Sequence, residues 1–114
     1  MEQPKVVIYA RFTTDVEQKQ INSVKSKINS FVRMIDAKIV KQSWEIVQKG
    51  ASSKKFNPLF DDCIENRWGI LTYDLKTLHE HRSGALYIVE EGAEMGVPIF
   101  FVDSESAFKS ILSI

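Results

Sequence analysis

The feature that most constrains this chain is the run Val6-Val7-Ile8-Tyr9-Ala10, uninterrupted by any polar residue and leading straight into Arg11. β-Branched and aromatic side chains favour a strand, and the absence of alternation means that both faces of that strand must be covered. A strand covered on both faces belongs at the centre of a sheet flanked by helices. The first ten residues therefore already point to an α/β chain.

The rest of the chain keeps to that plan. After Asp15, a candidate helix cap, Ile21, Val24, Ile28, Phe31, Val32 and Ile35 recur at helical spacing, with Glu17, Lys19, Lys25 and Lys27 on the other face. Residues 37–47 place Ile39, Val40, Trp44, Ile46 and Val47 among polar neighbours, which predicts a strand partly open to water. Residues 48–58, QKGASSKKFNP, have the Gly, Ser and Pro content of a loop and carry local positive charge. Leu59, Phe60, Cys63 and Ile64 predict a short amphipathic helix, and residues 68–73 a third strand reaching Asp74. Leu75, Leu78, Ala85, Leu86, Val89 and Ala93 then predict one helix running across Gly84, with Gly92 and Gly96 near its end. Residues 97–103 read as a fourth strand, after which Ser104 can cap a last helix bearing Phe108, Ile111, Leu112 and Ile114.

Strands and helices in strict alternation predict a three-layer α/β sandwich, with a mainly parallel sheet of four to five strands and helices on both faces. A length of 114 residues suits one core, so residues 1–114 are expected to form a single domain with no DNA-reading C-terminal domain.

Fifteen basic and fifteen acidic side chains cancel, so no whole-molecule field favours nucleic acid or membrane, and any phosphate contact must come from a local cluster. A single cysteine excludes an internal disulfide, and no stretch of about 20 apolar residues is present to span a bilayer. A cytoplasmic location without membrane association is the expectation. Cys63, His79 and His81 lack the paired spacing of a zinc site, so neither a metal nor a cofactor is expected, and the two histidines read as surface residues of a helix.

In parallel α/β sheets, ligands gather beyond the carboxyl ends of the strands. Those ends are Arg11 to Thr14, Gln48 to Lys55, Asp74 and Asp103. Arg11 offers a planar fork of donors, and Thr13 and Thr14 offer hydroxyls beside a helix start, a combination able to hold a phosphate. The same residues also admit a purely structural role, with Arg11 paired to Asp74 and the threonines ending a strand and capping a helix. No Walker motif or GxGxxG follows the first strand.

The stretch Tyr9-Ala10-Arg11-Phe12-Thr13-Thr14 resembles the Tyr-Ala-Arg-x-Ser-Thr motif of the serine recombinases, the resolvase and invertase family, at the first strand of their N-terminal catalytic domain. Asp15, Gln18 and Gln20 suit the family's helix start. Gly50-Ala51-Ser52 is similar to its Gly-x-Ser loop, Pro58-Leu59 to the beginning of its second helix, and Tyr73-Asp74-Leu75 to the "Leu-Asp-Arg" closing its third strand.

The resemblance implies a resolvase-like fold and a site in which a hydroxyl attacks a DNA phosphodiester while arginines stabilise the charge that develops. Carried onto this sequence, it assigns catalytic places to Arg11, Thr13 and Asp74, and phosphate binding to Arg11, Thr14, Ser52, Lys54 and Lys55. The sequence departs from the family at the reacting positions. Thr13 stands where the nucleophilic serine would be, Leu75 and Leu78 replace two arginines, Lys54 to Asn57 lack a loop arginine, and Gln48 replaces a frequent acidic residue. Three functions stay open on these grounds. The domain is a catalytically impaired recombinase-like module associated with DNA or with a protein; or a slow strand-transfer enzyme using Thr13; or a small anion- or nucleotide-binding domain. DNA, a protein partner and a second copy are the partners this admits.

Overall fold

The structure, a computed structural model, describes residues 3–103. Strand β1 (Lys5–Thr13) is longer than its apolar run, passing through Arg11 to Thr13. Its side chains alternate between two cores: Val7 and Tyr9 enter one, and Ile8, Ala10 and Phe12 the other. This is the covering of both faces that the unalternating sequence requires.

Helix α1 (Gln18–Met34) closes the second core with Ile21 and Ile28, joined by Leu71. Its cap residue is Glu17, and no side chain bonds to its first turn. Asp15, expected as the cap, instead accepts a hydrogen bond from the Thr13 hydroxyl two residues earlier. Strand β2 (Lys38–Val47) lies parallel to β1 at the edge of the sheet and is half-buried along most of its length. Helix α2 (Phe56–Asn66) returns across the sheet to strand β3 (Gly69–Thr72), which pairs with the other side of β1. Strand β4 (Ile99–Phe101) adds to β3. Among the described residues the sheet has four strands in the order β2-β1-β3-β4, all parallel. An α/β architecture with a central β1 is what the element order implied.

The helix expected across residues 75–93 is two helices, α3 (Leu75–Leu78) and α4 (Arg82–Met95). Extended backbone at His79 and His81 separates them. The apolar spacing hides the break because Leu75, Leu78 and Ala85 all enter the same core on either side of it. That core also takes Phe56, Leu59 and Cys63 from α2 and Ile70 from β3, with the Tyr9 and Phe56 rings edge to face at 5.1 Å. Cys63 is wholly buried, and burial, reinforced by the charge of Asp62, pushes its thiol up to about 11. Helix α4 comes close to the chain entering β4 at Gly92, where a Cβ would stand 2.5 Å from the Val97 carbonyl oxygen.

No helix among the described residues is long and apolar enough to cross a membrane. Ser104 and the apolar positions from Phe108 to Ile114 lie outside the described residues.

Candidate functional site

The carboxyl ends of β1, β2 and β3 converge on Arg11. Because β1 continues beyond its apolar run, Arg11 sits within the strand and is only 3% exposed. A buried guanidinium needs acceptors for its fixed fork of donors. Its Nη2 donates to the Ala51 carbonyl at 3.0 Å and lies 3.9 Å from Oε2 of Glu80. Its Nε is buried with no hydrogen-bond partner. The pairing with Asp74 suggested by the sequence is replaced by one with Glu80, because Asp74 serves its own helix. Asp74 Oδ1 accepts from the Thr77 N–H at 2.9 Å, and the Thr77 hydroxyl accepts from the Asp74 N–H at 2.9 Å, a reciprocal capping box that starts α3.

Two cavities meet at Arg11. One, of about 470 Å³, is lined by Thr13, Gln20, Lys27, Asp74 and Lys76 together with Arg11. This brings together the three residues assigned to catalysis, Arg11, Thr13 and Asp74. The other, of about 460 Å³, lies between residues 50–53 and the start of α4, with Ser52, Phe56, Leu78, His79 and Tyr87 in its walls. Arg11 and Glu80 line both. Lys54 and Lys55 line a third cavity, again with Ser52, on the far side of the loop. Thr14 lines none of the three; its N–H donates to the Val47 carbonyl at 3.0 Å. The phosphate-binding residues named from the sequence are thus divided between sites. Arg11 and Ser52 face one cavity, and the two lysines and Ser52 face another.

Two leucines stand where the resemblance expects arginines, and neither can supply charge to the site. Leu75 and Leu78 are buried in the apolar core beneath the sheet edge. Of the described residues lining the two cavities around Arg11, no other is an arginine.

A buried acid, unremarked in the sequence, organises the loop. Glu45 on β2 is 6% exposed and gathers four donors: the Tyr9 hydroxyl at 2.9 Å, the Ser53 hydroxyl, and the N–H groups of Lys54 at 2.8 Å and Lys55 at 3.4 Å. Burial alone would raise the Glu45 carboxyl, but the bonds from Ser53, Lys54, Tyr9 and Lys55 outweigh it and hold the group below its ordinary range. The Tyr9 hydroxyl is raised well above the ordinary tyrosine range, chiefly by burial and further by the Glu45 charge. Asp15, fully exposed, is lowered by the hydrogen bond from Thr13. That bond also occupies the hydroxyl assigned as nucleophile.

Glu80 is equally inconspicuous in the sequence. It lies in the break between α3 and α4, and both its carboxylate oxygens accept from the Gly50 N–H, at 3.1 and 2.9 Å. The nearby histidines are occupied with the same turn: the His81 N–H donates to His79 Nδ1 at 3.0 Å, and the His79 ring packs against Gly84. Cys63, deep in the core, is not part of this group, and among the described residues no three His, Cys, Asp or Glu side chains are placed to hold a metal ion.

Neither a family model nor a curated protein sequence matches this chain. Solved structures do. The N-terminal catalytic domain of TP901-1 integrase is similar over 95% of this chain and 87% of that one, with a TM-score of 0.71 and 20% identity. The C-terminal catalytic domain of ISC1926 TnpA, an IS607-like serine recombinase, is similar over 96% of this chain and 76% of that one, with a TM-score of 0.67 and 22% identity. A central β1 ending in Arg11, a sheet ordered β2-β1-β3-β4 and helices on both its faces give this chain the fold of a serine-recombinase catalytic domain.

Proposed function

We propose that this domain holds a phosphate group of DNA at the carboxyl edge of its sheet without transferring it, acting as a DNA-associated module rather than a strand-cutting enzyme. The observation that carries this reading is the solitary guanidinium: Arg11 has no arginine neighbour among the described residues of either cavity, and the leucines at the two places where the resemblance calls for one are built into the core. Phosphoryl transfer is accelerated mainly by preorganised cations around the phosphorus, and removing one such donor typically costs about 10²- to 10³-fold in rate. Lys27 and Lys76 line the same cavity as Arg11 and bring charge, but not the bidentate fork that tracks a phosphate through its transition state. Thr13 adds a methyl group that stiffens its side chain, and its hydroxyl donates to Asp15. These residues suit binding and disfavour turnover.

The test is incubation with supercoiled plasmid, followed by denaturing electrophoresis and a retention assay at several salt concentrations. Retention that weakens with salt, with no nick and no covalent adduct, is the expected result. A protein–DNA adduct lost in Thr13→Ala would establish catalysis and overturn the reading. Absence of retention at low salt would remove DNA as the ligand.

A further inference from the structure

Arg11 is an unusually ill-served cation. It is almost fully buried, yet its Nε has no partner and its nearest carboxylate oxygen is 3.9 Å away, beyond hydrogen-bond reach. Buried donors left in this state mark a place where a further acceptor fits. The oxygen standing nearest, Oε2 of Glu80, is at the same time the acceptor of the Gly50 N–H at 2.9 Å. A backbone N–H and a guanidinium facing one oxygen are the parts of an oxyanion site. Gly50 makes this possible, because its φ of +85° is a conformation that side-chain-bearing residues rarely adopt.

We propose that the Glu80 carboxylate is a built-in occupant of a phosphate site framed by Arg11 and Gly50, and that a phosphate group gains Arg11 as Glu80 gives way. The inference rests on Arg11 as the phosphate ligand of the preceding reading and adds the control of access to it. A phosphate has more oxygens and more charge than a carboxylate, so it can accept from the Gly50 N–H and from the Arg11 guanidinium together. Glu80 is placed to yield. It lies on the three-residue connection between α3 and α4, outside either helix, and at 3.9 Å it is too far from Arg11 to be hydrogen-bonded to it. It is also one of the two residues shared by both cavities, so its side chain forms part of the partition between them. Withdrawal would open a continuous groove past Arg11.

The experiment compares the full chain with Glu80→Gln and Glu91→Gln, using inorganic phosphate in one arm and a short DNA duplex in the other. Glutamine retains an oxygen for the Gly50 N–H while removing the charge that competes for Arg11. Glu91 also lines the first cavity, so its variant reports the general effect of removing a negative charge there. By isothermal titration and thermal shift, Glu80→Gln is expected to bind on the order of fivefold to tenfold more tightly than the parent, as when an occluding state is removed. Glu91→Gln is expected to change affinity by less than about twofold, because the Arg11 ion pair and the Gly50 hydrogen bonds run to Glu80 and not to Glu91. Gain in the phosphate arm alone identifies a free phosphate group as the ligand; gain in both arms identifies the DNA backbone. Equal behaviour of the two variants overturns the proposal. The double variant Arg11→Gln/Glu80→Gln removes both charges together, so that no buried ion is orphaned, and its folding is checked by circular dichroism. If the parent binds and the double variant does not, while Glu80→Gln shows no gain, only the role of Glu80 falls. If the parent, Glu80→Gln and the double variant bind alike, or none binds, the assignment of Arg11 falls with it.

Discussion

Replacing Glu45 with alanine should loosen the loop over the site before it damages the sheet. The carboxylate collects two side-chain and two backbone donors, and bonds to a charged acceptor are worth about 1.5–3 kcal/mol each before desolvation is counted. Not all four are lost in full. Lys54 and Lys55 are exposed, so water can replace the acceptor for their N–H groups, and the Tyr9 hydroxyl keeps the Ser53 hydroxyl at 3.0 Å. The variant also escapes the cost of burying a carboxylate. These opposing effects leave a net loss of about 2–3 kcal/mol, or a fall in Tm of about 10–15 °C for a domain of this size. Glu45→Gln keeps the shape and one acceptor oxygen and should lose about half as much. Urea unfolding followed by the fluorescence of Trp44 and Trp68 measures the energies. Limited trypsin digestion at Lys49, Lys54 and Lys55 reads the loop, and cleavage should accelerate in the alanine variant well below its unfolding midpoint. An alanine variant within about 0.5 kcal/mol of the parent, with unchanged cleavage, would refute the view that Glu45 fastens this loop.

Acid should act through the same residue. Because the folded state holds the Glu45 carboxyl below its ordinary value of 4.5, its stabilisation is complete above that pH and is lost as pH falls through the folded-state value. Urea midpoints between pH 7 and pH 3 should therefore fall less steeply in Glu45→Gln than in the parent, and parallel curves would contradict the assignment. At the other end of the sheet, Gly92→Ala should cost about 1–2 kcal/mol in the same assay. The new Cβ would meet the Val97 carbonyl oxygen at 2.5 Å, and that clash exceeds the helix propensity that alanine brings. An alanine variant as stable as the parent would show that α4 is free to shift.

Much of this architecture can be read from residue order. The unalternating run ending at Arg11 places a central strand, and Ile21 and Ile28 mark the buried side of α1 without ambiguity. Local spacing does not reveal what depends on distant partners. Leu75, Leu78 and Ala85 keep one helical rhythm across a connection that is not helical, so the turn carrying Glu80 is concealed. Glu80 itself is defined by Gly50, thirty residues away, and by Arg11 still further back. Glu45 lies on an edge strand whose polar residues mostly face water, and nothing nearby in sequence distinguishes it from them. Its importance comes from the loop folding back over it. For the site, Arg11, Thr13 and Asp74, singled out from two separate stretches of the sequence, line one cavity. The acids that position Arg11 and the loop have no motif to announce them.

The strand order has a consequence for the newborn protein. β1 leaves the ribosome first but becomes an interior strand, and its pairing with β3 joins Val6 to Gly69 and Ile8 to Leu71. At translation speeds of about 5–20 residues per second, roughly sixty further residues must be made before that partner exists, a delay of several seconds. Throughout it, Val6 to Ile8 are a sticky, unfinished edge, and the half-made chain is the form of this protein most in need of a chaperone.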